Sequence, residues 1–343
     1  MRNAMDDDAR LVQARSAISD LSRRVGDVVV GQEEPIRLCL IAILARGHVL
    51  LEGDVGIGKT TLLRALARAI GGGFSRIEGT VDMMPADVLY HTYITDDGQP
   101  HVAAGPLLAH GEELAVFFFN EINRARPQVQ AVLLRAMAEG SVTAFNRGQP
   151  LPYLQVFADR NRVERGETFE LAAAARDRFL FEIPMEIPVR DEDRARLLFD
   201  TSFHNVDQLL EPIPVAALDY RALPAIAAAI QRHVGAAPTL ERYALDLWQA
   251  TRVPASVGVE LGEVAVTGLI EAGASPRGMS QMLRAARVHA FLAGRDRLTP
   301  DDVRAVFAPA IRHRLVFSPM HEFERHRLAP ELIAELLRRV ASP

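Results

Sequence analysis

The sequence predicts an α/β fold: a parallel five-stranded sheet around a phosphate-binding loop, followed by an all-helical C-terminal domain. Three observations predict it. Between about residues 26 and 190, short apolar runs alternate with segments of helical periodicity, the rhythm of a parallel sheet with crossover helices. A glycine-rich loop, residues 53–60, stands between the first such run and the helix after it. Beyond Val189 the β-like runs become few, and proline-punctuated helical segments take over. The 343 residues suffice for two ordinary domains. The expected division is 1–200 for the α/β core with its N-terminal helix and 201–343 for the helical domain.

The elements follow in order. Residues 8–24 carry Leu11, Ala14, Ile18 and Leu21 on one side of a helix. The strand candidates are 48–52, 74–78, 114–119, 153–158 and 180–184. Residues 91–103, with Asp96-Asp97-Gly98, and 141–153, with Asn146-Arg147-Gly148, read as hairpins or as ordinary surface turns. Segments 191–200, 224–236, 239–250, 259–271, 279–293 and 300–308 read as helices, and 331–340 as a last one entered through Pro330.

Composition narrows the class. With 49% apolar and 24% charged residues the chain is expected to fold as an ordinary globular protein. Its longest apolar runs, 38–45 and 115–119, fall far short of the ~20 residues of a membrane-spanning helix. The N-terminus is acidic where a secretory leader is basic and apolar. A single cysteine, Cys39, precludes an internal disulfide or a cysteine-rich metal site. A net charge of −5 gives nucleic acid no overall electrostatic attraction. The expected location is the cytoplasm. Of the 39 basic residues, one alone is lysine, Lys59. In an arginine-using chain this marks a place where a compact ammonium is needed and a planar guanidinium fails.

Lys59 lies in Gly53-Asp54-Val55-Gly56-Ile57-Gly58-Lys59-Thr60, a full G-x-x-x-x-G-K-[ST] match with Thr61 beyond it. A strand, a glycine loop and a helix in succession aim backbone N–H groups at phosphate oxygens. Lys59 would reach the β/γ-phosphates of ATP, and the Thr60 hydroxyl would hold Mg²⁺. The apolar run 114–119 ends in Asn120-Glu121, at the strand edge where α/β sheets bind ligands. Glu121 is positioned to polarise the attacking water. Asn120 stands on the metal side but brings no negative charge to a divalent cation. Retained but weakened hydrolysis is the expectation, with a long-lived nucleotide-held state as its competitor.

These residues, and others in the same order along nearly the whole chain, resemble the MoxR family of AAA+ ATPases. Val30-Gly31-Gln32 is similar to the family's adenine-side segment, and Asn120-Glu-Ile-Asn-Arg-Ala125 with Pro127 and Gln130 is the most diagnostic stretch. Phe74–Glu78, Asp82–Asp87, Gly105-Pro106, Asp177-Arg-Phe179 and Gly273-Ala-Ser-Pro-Arg277 continue the pattern. The resemblance implies Asn161 as sensor 1, Arg178 as an arginine finger reaching the next subunit, and Arg277 as sensor 2. Arg176 is a weaker finger candidate. It further implies a hexameric ring of identical subunits and a partner carrying a von Willebrand A domain. The client would be an enzyme matured by cofactor or metal insertion, with methanol dehydrogenase as the best-known association. The chain departs from the family at Val55, where proline is usual, and at Asn120. Asp159-Arg-Asn-Arg162 changes the flanks of sensor 1, and Leu171-Ala-Ala-Ala-Ala175 has lost a carboxylate.

Other readings compete. A nucleotide-gated scaffold follows if Asn120 abolishes turnover, although Glu121, Arg178 and Arg277 would then have no task. A nucleic-acid motor is disfavoured by the net charge, and a chelatase-like subunit would share most of the motifs. His321-Glu-Phe-Glu-Arg-His326 fails as a zinc-protease motif because Arg325 stands where histidine is required. Gly273-Ala-Ser-Pro-Arg277 lacks the second glycine of a hydrolase elbow.

Overall fold

The structure is a computed structural model that describes residues 2–161 and 169–343. Arg162, the last residue of the segment around sensor 1, lies outside the described residues. The chain forms two compact units, Met1–Leu171 with Ile183–Ile226, and Ala172–Glu182 with Ala227–Pro343.

Helix α1 (Arg2–Val28) extends beyond the expected 8–24 at both ends. It buries Leu11, Ala14, Ile18, Leu21 and Val25, spaced three and four apart along one face. Helix α2 (Glu33–Leu44) is apolar nearly all round and correspondingly buried. Cys39 lies inside it, fully buried, and burial pushes its thiol above the ordinary value.

Strand β1 (His48–Glu52) feeds the glycine loop and α3 (Lys59–Ile70), followed by β2 (Gly73–Glu78) and α4 (Pro85–Leu89). Of the two readings left open for 91–103 and 141–153, hairpins or surface turns, both segments take the hairpin. The first is β3 (Tyr90–Ile94) with β4 (Pro100–Ala104). After β5 (Leu114–Asn120) and α5 (Pro127–Glu139) comes the second, β6 (Ser141–Ala144) with β7 (Arg147–Pro150). Its two-residue turn, Phe145-Asn146, has φ of 53° and 59°, the left-handed backbone that matches strand twist in tight hairpins. Strand β8 (Gln155–Arg160), α6 (Ala173–Arg176) and β9 (Phe179–Pro184) complete the core elements.

The sheet has the order β2-β5-β8-β1-β9, and the pairs β2/β5, β5/β8 and β8/β1 are parallel. Phe117, Phe118 and Phe119 are consecutive and all fully buried, so β5 is covered on both faces. All five expected strands are present, shifted by at most two residues.

The later elements are α7 (Asp191–Phe199), α8 (Val206–Leu210), α9 (Leu223–His233), α10 (Pro238–Arg252), β10 (Ile270–Ala272), α11 (Pro276–Leu292), α12 (Pro300–Ile311), β11 (Val316–Phe317) and α13 (Arg325–Arg339). The helix expected over 259–271 does not form. Gly258, Gly262 and Gly268 have φ of 69°, 58° and 76°, and the segment turns repeatedly before β10 pairs antiparallel with β11. The final helix starts at Arg325, ahead of the expected 331, with Pro330 inside it. Pro330 is exposed, in the second turn of the helix. Among the described residues no helix is long and apolar enough to cross a membrane.

His313 is fully buried, its Nε2 3.0 Å from the Phe179 carbonyl oxygen and 2.9 Å from Arg314 Nη1. Burial, and the Arg314 charge after it, hold the ring well below the ordinary histidine value. An unfolded His313 takes up a proton as pH falls through about 6.5, while the folded one refuses it. Stability is therefore lost from about pH 6.5 downward, by up to ~1.4 kcal/mol per pH unit. Urea midpoints at pH 7.5 and 5.5 check this. His313→Gln should flatten the pH dependence, and an unchanged slope would exclude His313 as its source.

Candidate active site

The glycine loop is built by backbone geometry. Gly56 and Gly58 have φ of 82° and 92°, which a side chain would strain. A Cβ on Gly56 would meet nothing within 4 Å, so glycine there answers to conformation and not to space. Gly58 caps α3, and among the described residues no side-chain cap bond is made to the start of the helix. The helix's first N–H groups suit a ligand, and the helix dipole favours an anion. Asp54, Val55 and Gly56 are exposed, Ile57, Gly58, Thr60 and Thr61 are half-buried, and Lys59 is 7% exposed.

Lys59 explains why the one lysine sits here. Its Nζ donates to the Gly53 carbonyl at 2.8 Å and to Asn161 Oδ1 at 2.7 Å, and lies 3.0 Å from Asp159 Oδ2. Three acceptors converge on one nitrogen, which suits a three-proton ammonium and not the spread fork of a guanidinium. Asn161 continues the chain, its Nδ2 donating to Glu121 Oε1 at 3.1 Å. Arg124 Nη1 donates to Glu121 Oε2 at 3.0 Å.

Glu121 follows β5 with φ of 52°, and its backbone N–H donates to Asp159 Oδ1. Gly79, just after β2, lets this turn approach, since a Cβ there would stand 2.3 Å from the Glu121 carbonyl oxygen. Asn120, with its amide nitrogen turned toward Asp159, donates to both carboxylate oxygens at 3.1 Å. Asp159 is 1% exposed, and burial pushes its carboxyl above the ordinary value against the pull of the Glu121 N–H and Lys59. Just before α2, Gly31 has φ of 72° and lies against Pro188, and buried Gln32 donates to the Glu186 carbonyl at 2.6 Å.

A second cluster lies within the other unit. Ser275 caps α11, accepting from Gly278 N–H at 2.9 Å and donating to Asp177 Oδ1 at 2.7 Å. Arg277 is 57% exposed, with Nη1 3.6 Å from Asp177 Oδ2. Arg314 is buried. Its Nε donates to Asp177 Oδ1 at 3.0 Å, and its Nη2 to the carbonyls of Asp177 and Phe179 at 3.1 and 2.7 Å. Burial lowers its guanidinium to about 10. Arg178 is half-buried, with Nη1 donating to the Ala174 carbonyl at 2.6 Å and Nε meeting no acceptor among the described residues. Arg176 is buried.

Family models agree with this arrangement. Residues 48–181 match the ATPase family associated with various cellular activities (AAA), and 263–336 match an AAA lid domain. Protein MoxR of Methylorubrum extorquens is 54% identical over 98% of this chain and 98% of its own. The chain belongs to the MoxR family of AAA+ ATPases. The chaperone MoxR1 of Mycobacterium tuberculosis is 33% identical to this MoxR-family chain, over 92% of it and 80% of the relative. The crystal structure of a protein from Cytophaga hutchinsonii assigned as an ATPase superposes with a TM-score of 0.85 at 29% identity, covering all of both chains.

As a MoxR-family ATPase the chain has a donor set that suits a nucleoside triphosphate with a divalent cation. The first N–H groups of α3 and an ammonium are of the chemistry that phosphate takes, and a threonine hydroxyl and carboxylates of the chemistry that a divalent cation takes. Lys59, Asn161, Glu121 and Asn120 come together in one hydrogen-bonded set. Reading the sequence missed Asp159 as the carboxylate at the centre of that set. A charge appearing in the motif segment where Asn120 had lost one was the available signal. The role of Arg124 was also missed, although it lies in the diagnostic stretch three residues after Glu121, and Arg314 was missed because no spacing distinguishes it among 38 arginines.

Proposed function

We propose that this ATPase is a remodelling chaperone that works as a hexameric ring and uses ATP with Mg²⁺ to drive maturation, or cofactor or metal insertion, in a client enzyme. The observation that carries the reading is the Asn161 amide, which bridges Lys59 at 2.7 Å and Glu121 at 3.1 Å. Loss of the γ-phosphate at Lys59 would be felt at Glu121 through one side chain, as a nucleotide-driven motor requires. The name chaperone borne by the mycobacterial relative supports the client-directed part.

In this reading Gly31 and Gln32 border the base, and Asp54–Thr61 wrap the phosphates. Lys59 releases Asp159 to pair with the β/γ-phosphates, and Glu121 accepts the proton of the attacking water. Thr60, with Asn120 beside it, would hold Mg²⁺, which would supply positive charge against that developing on the phosphates. Arg178 completes the site of the neighbouring subunit, and Arg277 reports nucleotide from the helical side. A von Willebrand A domain protein presents the client, a metalloenzyme of which methanol dehydrogenase is the first to test, in the cytoplasm.

The test is ATP-dependent gain of client activity from purified components, with Glu121→Gln as the turnover-dead control. A gain that needs ATP and is lost in Glu121→Gln is the expected result. A gain that persists in Glu121→Gln would favour the nucleotide-gated scaffold, the reading that the amide at Asn120 supports. No gain with any client would remove the chaperone reading.

A further inference from the structure

The ends of β5 and β8 distribute their polar groups in a way the proposed function does not use. Residue 120, which closes the strand leading to Glu121, is an amide, and the carboxylate is one strand over, at Asp159. The pairing of β5 with β8 runs Phe118 to Phe157 and Phe119 to Ala158. The next step sets Asn120 beside Asp159, where the side chains meet at 3.1 Å. The pairing of β1 with β8 sets Leu51 opposite Asp159. Asp159 therefore stands between the strand that feeds the phosphate loop and the strand that carries Glu121.

We propose that Asp159 is the magnesium-side carboxylate of this site, supplying from β8 the negative charge that residue 120 lacks. Magnesium keeps most of its water and is held through one or two carboxylates together with substrate phosphates. A site with only an amide at 120 has lost that acceptor. Asp159 restores it by accepting hydrogen bonds from cation-bound water, which makes it a positioning residue. Its Oδ2 is paired with Lys59, 3.0 Å away. When Lys59 turns to the phosphates that oxygen is released, so ammonium and hydrated cation take it in turn.

The same geometry explains the amide. A carboxylate at 120 would put two like charges in contact in a buried place, where they cannot both ionise cheaply. An amide instead donates to Asp159 and fixes its orientation. Residue 120 supplies the amide and residue 159 the carboxylate, so the site has one of each.

The inference rests on the nucleotide reading of the loop and on no reading of the client. The test measures metal and nucleotide separately in the full-length protein. Mant-ATP fluorescence in EDTA reports nucleotide alone, and Mn²⁺ electron paramagnetic resonance with a non-hydrolysable ATP analogue reports the cation. Asp159→Asn should bind mant-ATP in EDTA nearly as the natural protein does, and should lose roughly 10–100-fold in Mn²⁺ affinity. The double variant Asn120→Asp/Asp159→Asn, which moves the carboxylate across to β5, should recover most of that loss. Mn²⁺ affinity unchanged in Asp159→Asn would overturn the assignment. So would an equal loss of nucleotide in EDTA, which would place Asp159 in support of the loop. A loss that the double variant fails to recover would also overturn it, by assigning the effect to strand packing. Should Asp159→Asn not fold, the double variant decides alone: Mn²⁺ affinity near the natural value supports the assignment, and weak Mn²⁺ with intact mant-ATP binding refutes it.

Discussion

Arg178→Ala is expected to bind ATP as the natural protein does and to turn it over roughly 10³–10⁵-fold more slowly, the loss seen when an arginine finger is withdrawn. The half-buried Arg178 side chain donates to the Ala174 carbonyl, and its Nε meets no acceptor among the described residues. Its neighbour Asp177 is already engaged by Arg314, Ser275 and Arg277. The backbone around Arg178 is thus clamped, while its guanidinium donates to the Ala174 carbonyl alone among the described residues.

Mixing experiments separate action in trans from action in cis. Arg178→Ala and Glu121→Gln should each be inactive alone. Mixed in equal amounts in a ring, they should recover turnover at roughly a quarter of the sites, where an intact Glu121 faces an intact Arg178 from the next subunit. No recovery, with subunit exchange demonstrated, would put Arg178 in its own subunit's site. Natural turnover in Arg178→Ala would remove the finger altogether.

Lys59 carries the second large effect. Truncating a buried, hydrogen-bonded charge at a binding site costs about 2–5 kcal/mol, so Lys59→Ala should weaken mant-ATP binding roughly 30- to 5,000-fold and abolish turnover. Lys59→Arg should rescue neither. It keeps the charge, but the three acceptors at 2.7, 2.8 and 3.0 Å surround a single nitrogen in a pocket that leaves the side chain almost no exposure. A guanidinium spreads its donors over a rigid plane and cannot meet them together. Normal turnover in Lys59→Arg would show that the site needs only a positive charge.

Much of this site was legible because its parts are local. Residues 53–60 form one contiguous motif whose chemistry is set by backbone angles that glycine alone adopts easily. The run 114–119 announced a strand buried on both faces, and its three buried phenylalanines bear that out. The helix expected at 259–271 fails for a local reason too, since Gly258 just before it and Gly262 and Gly268 within it have left-handed backbone. What periodicity could not give was pairing across the sheet. Asn120 and Asp159 are 39 positions apart in sequence and touch only because β5 and β8 are in register. Arg314 lies further still from Asp177 and belongs to no motif, so its clamp was invisible until the chain was folded.

The burial of Cys39 has a practical corollary. The chain's sole thiol is enclosed in α2 with its ionisation suppressed, so it presents almost no thiolate to a maleimide at neutral pH. A cysteine introduced on a hairpin, beside the loop or on the helical unit becomes the one reactive sulfur in an otherwise natural background. Dyes and spin labels can therefore be placed one site at a time, with the native residue left where it is.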